Sequence, residues 1–140
     1  MKILLMAPSF AVLSLFAAAV NAGELTVTIT DIRASQGTLM VSVVDSDAAW
    51  NSQAKPVAAQ KATATKGEMT LKFGNLPAGK YAVQVMHDEN DNGKMDTNFL
   101  GIPSEGYGFS NNPNVMRRAH FDEARFEVGA EAKTITIRLR

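Results

Sequence analysis

Apolar and polar residues alternate along most of the chain beyond residue 23. In "ELTVTIT", Leu25, Val27 and Ile29 fall on one face and Thr26, Thr28 and Thr30 on the other. "GTLMVSVVD" continues with Leu39, Val41 and Val43, "EMTLKFG" with Met69, Leu71 and Phe73, and "KYAVQVMH" with Tyr81, Val83 and Val85. "KTITIRLR" closes the chain with Ile135, Ile137 and Leu139. Period-two alternation of β-branched and aromatic residues predicts half-buried strands. "VAAQKATA" and "EARFEV" are weaker candidates. The total of about seven short strands predicts an all-β fold, an antiparallel two-sheet β-sandwich. Turn signals separate the strands: Ser35-Gln36-Gly37, Lys66-Gly67 and Asn75-Leu76-Pro77-Ala78-Gly79. "SDAAWNSQ" predicts a short helical turn capped by Ser46 or Asp47 and ended by Pro56, and "NVMRRAHFDEA" a second one.

The first residues break the alternation. Met1-Lys2 precede "ILLMAPSFAVLSLFAAAV", long enough by itself to span a bilayer. The single leading Lys, the alanine content and the ending Val20-Asn21-Ala22 instead predict a signal peptide, residues 1–22, cleaved before one domain, 23–140. The mature chain is then expected in the periplasm or outside the cell, with no membrane span. Removing Lys2 leaves 13 basic residues against 14 acidic ones. Charge so near neutral supplies no field for gathering nucleic acid, and Arg117-Arg118 is too small a cluster to supply one. There is no cysteine, so neither disulfides nor an N-terminal lipidated cysteine can anchor or staple the chain.

One long irregular segment remains, from about Asp88 to Pro113, and function is sought there. Its start reads Asp88-x-Asn90-x-Asn92-Gly93-Lys94-x-Asp96. This matches the first nine positions of the twelve-residue calcium loop: side-chain oxygens at 1, 3, 5 and 9, glycine at 6, and the Lys94 carbonyl at 7. A hard divalent cation needs six to eight oxygens, and alternate residues of a tight turn aim theirs at one centre. Glu89 and Asp91 would face outward. The match ends at position twelve, where Phe99 replaces the bidentate glutamate. Glu105 is the nearest carboxylate that could fold back to complete the shell, with Asn98 or a backbone carbonyl as alternatives. The competing reading is a metal-free turn in which Asp and Asn cap their own backbone and Asn92-Gly93 forms the reversal.

The segment continues as "TNFLGIPSEGYGFSNN". Its aromatics either lid one open end of the fold or present Phe99, Tyr107 and Phe109 as a platform for a glycan or peptide; large apolar side chains are more often buried. "GFSNN" resembles a nucleophile elbow only in its first half, because Asn112 stands where the closing glycine belongs. His87 shares the inward face of its strand and reads as a core-edge histidine. A transition-metal site with His120 would be short of nitrogen or sulfur ligands.

Together "LPAGKYAVQVMHDENDNGKMDTNFLGIPSEGYGFSNN" (76–112) resembles the signature of a family of small exported bacterial proteins catalogued as a domain of unknown function. The shared pattern runs Leu-Pro-x-Gly-x-Tyr, then His-Asp-Glu-Asn-x-Asn-Gly-Lys-x-Asp, then Gly-Ile-Pro-x-Glu-Gly-Tyr-Gly-Phe-Ser-Asn. The resemblance implies a small transthyretin-like or immunoglobulin-like sandwich behind a signal peptide and no assigned activity. The expected function is a non-enzymatic module with a calcium-organised loop, serving structure and binding at the cell envelope. The alternatives are a metal-assisted hydrolase using His87, Asp88, Glu105 and His120, and a carrier of a small apolar ligand between the sheets.

Overall fold

The computed structural model describes residues 22–140; of the expected signal segment, all but Ala22 lies outside the described residues. Eight strands and two one-turn helices follow one another: β1 (Gly23–Ile32), β2 (Thr38–Val44), α1 (Asp47–Trp50), β3 (Ala58–Thr63), β4 (Gly67–Leu76), β5 (Gly79–Asp88), β6 (Tyr107–Phe109), α2 (Phe121–Ala124), β7 (Phe126–Val128) and β8 (Lys133–Arg138). The fold is all-β in two sheets. One sheet has the order β4-β1-β8, the other β3-β2-β5-β6, and β7 pairs with the start of β5.

The alternating residues explain the layers. Leu25, Val27 and Ile29 of β1, Phe73 of β4 and Ile137 of β8 share a buried cluster with Leu39, Val41 and Val43 of β2 and Tyr81, Val83 and Val85 of β5. Both sheets thus contribute to one core, and the threonines between the β1 apolar residues point away from it. A second cluster covers the other side of β5. Trp50 packs there with Phe109 and Phe121 at ring-centroid distances of 5.5 and 6.4 Å, and its Nε1–H donates to the Ala119 carbonyl at 2.9 Å. Ser46 caps α1, its Oγ accepting from the Ala49 amide at 3.2 Å.

Two features depart from the sequence expectation. The strands pair antiparallel except for β1 with β8, which run parallel. Side-chain alternation carries no information on a partner's direction, and a parallel pair needs only a long connection, which the rest of the chain supplies. The additional strand is β6, three residues around Gly108, too short to show a period. It adds to the edge of β5 through Gln84–Met86.

Candidate metal centre

The loop leaves the sheet where β5 ends, at Asp88, which pairs with Thr38 of β2. Asp88 is buried, and its carboxylate is aimed back into the loop. Oδ1 accepts from the Asn92 amide at 3.2 Å and Oδ2 from the Gly93 amide at 2.7 Å. Gly93 sits at φ +81°, the left-handed backbone required for the reversal. Beyond it, Asp96 gathers the two asparagines. Asn92 Nδ2–H donates to its Oδ1 at 2.7 Å, and Asn90 Nδ2–H donates to its Oδ2. The Asn92 and then the Asn90 amide hold the Asp96 carboxyl below its ordinary range. The Asn92 Oδ1 accepts from the Lys94 amide at 3.1 Å, and the Asn90 Oδ1 from the Asn92 amide at 3.2 Å.

Glu105 folds back onto this turn. It is 5% exposed, and its two oxygens accept from the Glu89 amide at 2.5 Å and the Asp96 amide at 2.9 Å. One buried carboxylate therefore ties the entrance of the cradle to its exit. Asn98 does not join it. Its Oδ1 accepts from the Leu100 and Ile102 amides at 2.9 and 3.1 Å, so its oxygen is committed to the next turn.

A support that the residue pattern does not announce comes from the β1–β2 connection. Arg33 Nε donates to Glu89 Oε1 at 2.6 Å, and Arg33 Nη2 reaches both Glu89 Oε2 and the Ser104 carbonyl. The Arg33 hydrogen bond draws the Glu89 carboxyl below its usual range. Thr38 Oγ1 donates to Asp91 Oδ1 at 2.7 Å. Glu89 and Asp91 thus face away from the cradle, toward this brace. Gly37, at φ +73°, lies so close that a Cβ there would meet the Asp88 carbonyl oxygen at 2.1 Å. The only sequence signal for this brace is the Ser35-Gln36-Gly37 turn, which carries no hint of its contact partner.

The other candidate residues separate. His87 is fully buried with Nε2 2.7 Å from the Gln36 carbonyl, while its Nδ1 has no hydrogen-bond partner among the described residues. His120 is exposed at the start of α2, where its amide donates to Glu123. Among the described residues no group of three or more His, Cys, Asp or Glu side chains is placed to hold a metal, so His87, Asp88, Glu105 and His120 form no such group. Ser110 is fully buried, and its Oγ accepts from the Val83 amide and donates to the Ala124 carbonyl, knitting β5 to α2. Phe99, Tyr107 and Phe109 do not share a surface either. Phe109 is 7% exposed against Trp50, Tyr107 is partly buried beside it, and Phe99 is 96% exposed. The aromatics thus divide between core and solvent, with Phe109 inside, Tyr107 beside it and Phe99 outside. Clefts of about 430 Å³ beside Ser42, Lys55 and Gln84 and about 560 Å³ beside Asp45, Leu76 and Tyr81 include no residue of 88–112.

The turn satisfies the Asp88, Asp96 and Glu105 carboxylates with its own N–H groups. Asp96 faces two amide N–H dipoles, and a cation is the alternative partner for such a carboxylate. A carboxylate has lone pairs left after accepting one N–H per oxygen, so Asp88 can cap the turn and ligate together. The asparagine amides offer oxygen or nitrogen according to which way they turn. With the asparagine oxygens turned inward the set would be all oxygen, which suits calcium rather than a transition metal.

A family profile described as an uncharacterized protein conserved in bacteria (DUF2141) matches residues 27–136. Neither curated proteins nor solved structures give a match to the chain.

Proposed function

Because the chain belongs to this conserved bacterial family, DUF2141, whose description carries no activity, we propose a role from the loop itself: an exported, non-enzymatic β-sandwich whose 88–112 segment is organised by a calcium ion. Asp88, Asn90, Asn92, the Lys94 carbonyl and Asp96 hold the ion, and Glu105 completes the shell or fixes the loop around it. What supports this reading is the gathering of the Asp88, Asn90, Asn92 and Asp96 side chains around one turn that Asp88 and Glu105 close from both ends; the ion takes the place of the two asparagine N–H groups on Asp96, and both amides turn their oxygens inward. The ion supplies charge neutralisation for these carboxylates and no chemistry beyond that. The module then serves binding at the cell envelope, with the ion fixing the shape of the loop it presents.

Few carboxylates imply weak binding, with a dissociation constant of about 10⁻⁴ to 10⁻³ M, sufficient outside the cytosol. At ten times that constant the ion stabilises the fold by about 1.4 kcal/mol. Thermal melts of the chelated protein with added calcium test the reading. The melting temperature rises for the wild type and stays flat for Asp88→Ala and Asp96→Ala. A wild-type melt indifferent to millimolar calcium rejects the ion and leaves a self-capped turn.

A further inference from the structure

Directly after the cradle the chain turns through 97–103 and gives its large apolar side chains to solvent. Phe99 is 96% exposed, Leu100 67% and Ile102 55%. Side chains this exposed touch little of their own chain, so folding does not account for them, and a contiguous apolar group of this kind marks a contact site. The turn that carries them is closed. The Asn98 amide donates to the Ile102 carbonyl at 2.8 Å, the Gly101 amide to the Asn98 carbonyl at 2.9 Å, and the Ser104 amide to the Asp96 carbonyl at 2.9 Å. The Leu100 and Ile102 amides donate to Asn98 Oδ1, Pro103 has no N–H, and Thr97 faces Pro103 as an antiparallel bridge. Of the amides from Asn98 to Ser104, the Phe99 amide alone makes no bond within the turn. With all but one of its N–H groups bonded internally, the turn loses less than an open loop would on leaving water.

We propose that this tip inserts into the headgroup–acyl boundary of a phospholipid bilayer. A stable protein interface occupies about 800 Å² on each partner, and three side chains at the end of a narrow turn offer no such area, whether to another protein or to a second copy. A fluid interface needs no matching surface, and an aromatic ring beside aliphatic side chains is suited to it. The calcium dependence of this contact rests on the reading given above. Residues 88–105 carry Asp88, Glu89, Asp91, Asp96 and Glu105 against Lys94, a net −4. That charge repels an anionic bilayer; a bound divalent cation halves it, so calcium strengthens insertion into anionic membranes.

Co-sedimentation with phosphatidylcholine–phosphatidylglycerol vesicles, in millimolar calcium and in chelator, tests the proposal. The wild type partitions to the vesicles with calcium. Phe99→Ser and Leu100→Ser, at positions outside the core, each lower the partition constant by about tenfold or more with unchanged melting temperatures. Phe99→Trp gives a second readout, a blue-shifted emission on vesicle addition above the constant signal of buried Trp50. A wild type that stays in the supernatant at every lipid concentration overturns the proposal, as do serine variants that bind undiminished. Binding equal in chelator keeps the tip and overturns its calcium dependence, whereas a calcium-raised melt without vesicle binding keeps the ion and overturns the tip. Loss of an envelope protein by the serine variants, with no vesicle binding, overturns the bilayer in favour of a protein partner.

Discussion

Glu105→Gln is the most informative single change because it keeps shape and removes charge. The native carboxylate is 5% exposed and accepts two backbone amides, from Glu89 at 2.5 Å and from Asp96 at 2.9 Å. Glutamine has one oxygen, so one of the two amides loses its acceptor and faces an NH₂ group instead. A hydrogen bond to a charged group is worth about 1.5–3 kcal/mol, and a buried donor left unmade costs a similar amount. The expected loss is therefore about 2–3 kcal/mol, a large part of the roughly 5–15 kcal/mol that holds a domain together. Urea unfolding at neutral pH measures it as a lower midpoint with unchanged slope. Glu127→Gln, at an exposed position of β7, is the control and should move the midpoint little. A Glu105→Gln loss below about 0.5 kcal/mol, the range of ordinary surface substitutions, would refute the idea that this carboxylate ties the loop's two ends.

Three further outcomes follow from the same contacts. Gly37→Ala adds a Cβ 2.1 Å from the Asp88 carbonyl oxygen at φ +73°; backbone strain and overpacking together predict a loss of about 2–5 kcal/mol, read in the same urea titration, and a calcium response weakened with it. Trp50→Ala empties the second cluster, removing a ring 1% exposed and its bond to Ala119; the expected cost is about 3–5 kcal/mol, while the calcium-induced rise in melting temperature persists because residues 88–96 take no part in that cluster. The Asp96 and Glu89 carboxyls are held low, by the Asn92 amide and by Arg33 respectively. A depressed carboxyl stabilises the fold above its unfolded pKa and loses that contribution as pH falls through its folded pKa, so the loop stays closed at neutral pH and loosens below about pH 4. The NMR signals of the Asn90 and Asn92 side-chain amides and of Arg33 Nε–H, the partners of these two carboxylates, should shift there before the β1 amides lose protection, and a shift between neutrality and pH 5 would contradict the assignment.

The sheet-forming segments were legible because alternation is a local property: Leu25, Val27 and Ile29 announce an inward face whatever they meet. The helical turn at Ser46 was legible for the same reason, since a cap and its amide lie three residues apart. The parallel partnership of β1 and β8 was not, because the same alternation serves either direction. Within the loop, the positions of Asp88, Asn90, Asn92 and Asp96 relative to one another follow from spacing alone, and Glu105 was reachable as the nearest carboxylate. Arg33, Gly37 and Thr38 were not. They lie some fifty residues upstream, and only the pairing of β2 with β5 brings them beneath the turn. The aromatics illustrate the converse limit. Phe99 and Phe109 look alike in a glycine-spaced run, yet β6 pairing fixes Phe109 against Trp50 while the Asn98 turn lifts Phe99 into solvent.

Crystals grown in excess calcium and measured for anomalous scattering test the ion site in the loop. One anomalous peak is expected inside the 88–96 turn, bonded by oxygens of Asp88, Asn90, Asn92, Lys94 and Asp96 at about 2.3–2.6 Å. A turn without such a peak, its asparagine amides still donating to Asp96 in excess calcium, would contradict it.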